Sequence, residues 1–130
     1  MRFGAADAAE KAARERPDLL GPHADTLIDI AADSEQPGVR WHVAQMLART
    51  ELSAERATHA TEILERYLAD DSRIVEAWAL SAITAIANDH PELRTRAKQL
   101  VEARLGSEHA SVSARARMLQ GQADSWPDAS

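Results

Sequence analysis

The sequence predicts an all-α protein: a right-handed α-α superhelix, or solenoid, of about three helix pairs preceded by a capping helix. Three observations predict it. The chain repeats every 36 or 37 residues, as shown by the apolar pairs Leu27-Ile28, Ile63-Leu64 and Leu100-Val101. Val39, Val75 and Val112 each follow 12 positions after the first member of a pair, with a turn-rich stretch between. A period of this size marks stacked supersecondary units, each burying its apolar face on its neighbours. Second, no segment alternates apolar and polar residues long enough to make a strand. Third, aromatics are only 4% of the 130 residues, and alanine supplies much of the apolar 45%. That composition suits closely packed helices better than a sandwich or barrel.

The elements follow in order. Residues 4–15 are alanine-rich and charged, with good helix formers throughout. Phe3 lies 36 positions before Val39, so this stretch reads as the second half of an incomplete leading repeat that shields an apolar end. The first full repeat, 17–50, opens at Pro17-Asp18-Leu19-Leu20, with a kink or restart expected at Pro22. Leu27, Ile28 and Ala31 keep helical spacing to Asp33, and Pro37-Gly38 breaks the chain before a helix over about 38–50. Its face carries Val39, Val43, Met46 and Leu47. The second repeat, 53–88, starts with Ser53 as N-cap and turns at Asp70-Asp71-Ser72. Its second helix, 73–88, bears Ile74, Val75, Trp78, Ala79, Ala82, Ile83 and Ile86, and is expected to be the most buried. The third repeat, 91–121, has Pro91 at the first helical position and Glu92 beside the positive end of the dipole. A helix over 91–105 should close on Gly106 as a left-handed cap, and a last helix should run over about 110–121. Residues 1–121 then form one domain. Residues 122–130 read as a loose tail, unless Trp126 folds back over the last repeat.

Composition narrows the function. With no cysteine, disulfides and thiolate metal sites are excluded. The start, Met-Arg-Phe-Gly-Ala-Ala-Asp, lacks an apolar signal core, and no stretch approaches the ~18 apolar residues of a span. A cytoplasmic location is expected. The net charge is −6, and lysine occurs only at Lys11 and Lys98. That field opposes nucleic acid, whose binders cluster Lys and Arg, and favours protein partners with basic segments.

The helix after the first turn reads Val39-Arg40-Trp41-His42-Val43-Ala44-Gln45-Met46-Leu47. This resembles the V-R-x-x-[AV]-A-x-x-L signature of HEAT repeats, as does the turn from Asp33 to Arg40. The second copy, Val75 to Ile83, keeps the valine, small and aliphatic positions but has Glu76 in place of the arginine. The third, Val112-Ser113-Ala114-Arg115-Ala116, matches less closely. The resemblance covers roughly residues 17–120. It implies that Arg40 ties neighbouring turns together through Asp33 or Asp70. It also implies that the second helix of each pair faces a concave side where partners dock.

Candidate contacts follow from register. The third position after each motif valine holds His42, Trp78 and Arg115, an aligned column with neighbours about 10 Å apart. Trp41 adjoins it, and Gln45 and Arg49 extend it along one helical face. Trp and Arg are the types most enriched at binding hot spots, so these six are the expected partner-binding residues. Their plainer alternative is packing for Trp41 and Trp78, and ordinary solvated charge for Arg49 and Arg115. His23 and His59 are also 36 apart, but no acid or thiol in register completes a metal set. No metal or cofactor is therefore expected.

No nucleophile elbow, phosphate loop or metalloprotease motif occurs. The sequence thus predicts a non-enzymatic scaffold that binds a protein or peptide on its concave face. Two alternatives stay open at this point. The first is an enzyme-linked HEAT-like protein: a DNA-repair glycosylase using Trp41, Trp78 and Glu76, or a tetrapyrrole lyase subunit. The second is a structural subunit whose face is covered by its own homodimer partner.

Overall fold

The computed structural model describes residues 24–34 and 36–126. The expected leading helix, the opening at Pro17, the break at Pro22 and the residue His23 lie outside the described residues. Six α-helices follow: α1 (Ala24–Asp33), α2 (Pro37–Arg49), α3 (Ala54–Tyr67), α4 (Arg73–Asp89), α5 (Arg94–Glu102) and α6 (Ala110–Ala123). A single 3-10 turn, Pro91–Leu93, leads into α5, and no strand occurs among the described residues.

Local chemistry sets most boundaries. Ser53 caps α3 by accepting the Arg56 N–H at 3.2 Å, as its position predicts. Ser72 does the same for α4, accepting the Val75 N–H at 3.3 Å. The Ser72 N–H is itself received by the Asp70 carboxylate at 2.8 Å. At the far end of α4, Arg94 donates Nε to the Ala87 carbonyl (3.1 Å) and Nη2 to that of Asn88 (2.7 Å). A cation thus meets the negative end of the helix. Buried threonines are satisfied within their own helices: Thr61 donates to Ala57 O and Thr84 to Leu80 O.

Two expectations at the C-terminal end are corrected. α5 stops at Glu102 rather than 105, and Gly106 is not a left-handed cap, since no described glycine has a positive φ. The chain instead leaves the helix through tight i to i+3 bonds, Arg104 N–H to Val101 O and Leu105 N–H to Glu102 O. These satisfy the last carbonyls without a left-handed residue. The tail from 122 is not loose as far as Trp126. α6 continues to Ala123, which is buried, and Trp126 packs against the core.

α4 is the hub. It packs on α2, α3, α5 and α6, and its most extensive contact is with α2. Val75, Ala77, Ala79, Leu80, Ala82, Ile83, Thr84, Ile86 and Ala87 are all buried on it. Helices two apart in the chain also touch: α1 on α3, α2 on α4, and α4 on α6. One core cluster links them from Leu27 to Leu119, and it includes Met46, Leu47, Ile63, Leu64 and Val101. Ile74 departs from expectation. It is 57% exposed, because it lies on the α4 face that no described helix covers.

Polar ties join the units. Arg40 pairs with Asp70, donates Nε to the Ser34 carbonyl at 2.7 Å, and lies 5.2 Å from the centre of the Tyr67 ring. Tyr67 in turn donates its hydroxyl to the Ala31 carbonyl. These contacts bind the end of α1, the start of α2 and the end of α3 into one corner. At the equivalent position 36 residues on, Glu76 meets Arg104, Nε to Oε2 at 3.3 Å. The tie is kept but its polarity is reversed. Elsewhere, Arg56 forks onto Asp25 with two 2.8 Å bonds, and Arg96 pairs with Glu65. The Arg56 hydrogen bonds hold the Asp25 carboxyl below its ordinary pKa.

Two outcomes follow. Glu76→Arg places two guanidiniums together and should lower unfolding free energy by about 1–3 kcal/mol. Adding Arg104→Glu should restore most of that loss, as read by urea denaturation of both variants. Burial pushes the Tyr67 hydroxyl up to about 12, against an ordinary value near 10. The folded chain then holds its proton where the unfolded chain has released it. The associated stability is present below about pH 10 and is lost as pH rises toward about 12, at most roughly 2–3 kcal/mol. Tyr67 is the only tyrosine, so tyrosinate absorbance reports it alone. The Tyr67→Phe variant should lack this part of the alkaline slope.

Candidate partner-binding face

α4 shows solvent a strip made by Ile74, Trp78, Ser81, Ala85 and Asn88, spaced one helical turn apart or nearly so. α6 offers a matching strip, Ser111, Arg115, Met118 and Gln122. The two meet at one contact: the Arg115 guanidinium carbon lies 5.1 Å from the centre of the Trp78 ring. A cation held there contributes about 0.5–1 kcal/mol at an exposed site. Ile74 (57%) and Met118 (50%) are the large apolar side chains most exposed among the described residues, and both belong to these strips. Together they make a mixed face on which three large apolar side chains, Ile74, Trp78 and Met118, stand among polar ones, with a cation-capped tryptophan between the strips.

The six residues expected at the site separate into two groups. Trp78 and Arg115 are partly exposed and in contact, closer than the ~10 Å helix spacing suggests, because the arginine side chain spans the gap. His42 and Gln45 occupy the equivalent positions on α2 but are 6% exposed each. Trp41 is partly buried and stacks on His42, ring centres 4.0 Å apart and planes at 24°. Arg49 is partly exposed near the end of α2. The column is therefore continuous in register, yet His42 and Gln45 are buried, while Trp78 and Arg115 present surface and α2 keeps Trp41 and Arg49 partly exposed beside them. Sequence reasoning missed Ile74, taken for core, and Met118. Register held the signal for both: Ile74 lies one turn before Trp78, and Met118 falls in line with Gln45 and Ser81.

Glu76 points away from the strip, and its carboxylate lies 3.3 Å from Arg104 Nε, an ion pair that lacks hydrogen-bond geometry. Among the described residues, hollows lie in two other places. One of about 570 Å³ is walled by Asp25, Ile28, Ser53, Glu55, Arg56 and His59, with the Asp25–Arg56 fork across it. The other, about 80 Å³, lies beside Arg40, Arg66 and Tyr67. Among the described residues no three His, Cys, Asp or Glu side chains converge as a metal set, and no helix is long and apolar enough to cross a membrane.

One end of the strip is closed by the chain itself. Trp126 donates its indole N–H to the Asn88 side-chain carbonyl, and Arg94 lies 5.6 Å from its ring centre. Lys98 stands 3.9 Å from Asp124 just before it. Trp126→Ala should remove this closure and destabilise the fold by about 1–2 kcal/mol, less than a fully buried tryptophan. Thermal melting of the variant beside the unchanged chain checks it.

No family model matches the chain, and neither does any curated protein or solved structure.

Proposed function

We propose that this chain is a non-enzymatic scaffold, a short HEAT-like stack of helix hairpins that holds a protein or peptide segment on the face formed by α4 and α6. One observation carries the reading: two large apolar side chains, Ile74 and Met118, stay half exposed around the Trp78–Arg115 contact. Leaving such groups in water forgoes about 25 cal/mol for each Å² that a partner could cover. Tryptophan and arginine, side by side and partly desolvated, are the residue types on which interfaces concentrate their binding energy. The in-register repeats and the contacts between helices two apart support the stacked reading. Glu76, the one acid the glycosylase alternative would use, is occupied by Arg104 on another side of α4.

The test is affinity capture from the native host, read by mass spectrometry, with the double variant Trp78→Ala/Arg115→Glu as control. Circular dichroism should show that the variant remains helical. A partner retained by the unchanged chain and lost by the variant is the expected outcome. Equal recovery with both would move the binding surface off α4 and α6.

A further inference from the structure

The net charge of −6 points toward basic partners, but the charge is not spread evenly. Of the 21 acidic residues in the chain, only Glu76 and Asp89 fall within α2, α4 and α6, and α2 and α6 contain none. α1 and α3 carry Asp25, Asp29, Asp33, Glu55, Glu62 and Glu65. Glu76 is tied to Arg104, and Asp89 ends α4. The strip residues themselves include no carboxylate, and their one formal charge is Arg115. Its guanidinium lies over an aromatic face and pairs with no carboxylate among the described residues, so its N–H edge can meet an anion.

We infer that the α4–α6 face takes an acidic apolar peptide segment, one whose aliphatic side chains cover Ile74, Trp78 and Met118 while a carboxylate pairs with Arg115. The inference rests on the scaffold reading above and adds the partner's chemistry to it. The acids nearest the face, Asp71, Asp89, Glu108 and Asp124, flank the ends of the two strips, while the centre around Trp78 carries only the Arg115 charge. A carboxylate forking onto Arg115 can keep the tryptophan stack, whereas an amine placed there meets a like charge. The same sign argument disfavours a second copy of this chain on the face. A two-fold pairing would present each Arg115 with a strip that offers no carboxylate.

The test selects peptides from a displayed random library against the intact chain at physiological salt, then measures the enriched sequences by titration. Expected is a consensus of aliphatic residues at helical or alternate spacing with Asp or Glu beside them. Binding should weaken at least about tenfold with Arg115→Glu, and should be regained when the peptide's acid is changed to Lys. Binding should also fall with Trp78→Ala. Enrichment of basic peptides that still need Trp78 would overturn the acidic assignment and leave the scaffold reading standing. Peptides insensitive to Trp78→Ala, or no enrichment at all, would overturn both. A concentration-dependent dimer in light scattering, abolished by Met118→Glu, would assign the face to a second copy and overturn the inference.

Discussion

Helix α4 packs against α2, α3, α5 and α6 at once, and one helix can meet four neighbours only if most of its circumference is small and apolar. Ala77, Ala79, Ala82 and Ala87 provide this on α4, with Ala44, Ala57, Ala60, Ala97 and Ala116 on the helices around it. Small side chains let axes approach to the near end of the usual 8–10 Å range. The larger residues, Leu80, Ile83, Met46 and Leu64, then fill the spaces between contacts. Every other feature depends on this crowding. It leaves α4 a single open strip between its ends, and it brings α6 near enough for Arg115 to reach Trp78.

The polar ties act on register rather than on bulk stability. Exposed pairs such as Arg56–Asp25 contribute little individually, with typical measured values near 0–1 kcal/mol. Arg40 differs because its partners lie on three elements: the Ser34 carbonyl after α1, Asp70 before α4, and the Tyr67 ring at the end of α3. A slip of α2 by one turn would break all three together. Asp70 is also shared, since it accepts the Ser72 N–H that precedes the α4 cap. Helix start and helix packing are thus set by one carboxylate.

Much of this was legible in the sequence, for identifiable reasons. The valine and aliphatic positions recur because each copy faces the same core, so Val39, Val75 and Val112 are all buried. Ser53 is an N-cap residue type placed just ahead of the helical spacing of α3, and it caps that helix. The resemblance offered Arg40 two acids, Asp33 and Asp70, and the structure pairs it with Asp70. What stayed hidden depends on chain ends and on neighbours. α5 is shorter than Gly106 suggests, because consecutive 3-10 bonds close the helix before the glycine is reached. The depth of His42 and the openness of Trp78 could not be separated, since register is the same for both and burial is set by what lies alongside. The reversed pair at Glu76 looked like the loss of a motif residue, because its partner Arg104 lies in a loop that no pattern marks.

That reversal bears on how such a chain can change length. Repeat arrays commonly grow and shrink by gain or loss of whole units, which is tolerated when every junction is alike. Here the junctions are of two kinds, arginine seeking an acid after α3 and glutamate seeking a base after α5. Excising the middle unit would join Arg40 to the loop that carries Arg104, cation against cation. The hairpins are therefore not interchangeable modules, and their order is written into the sign of one side chain at each seam.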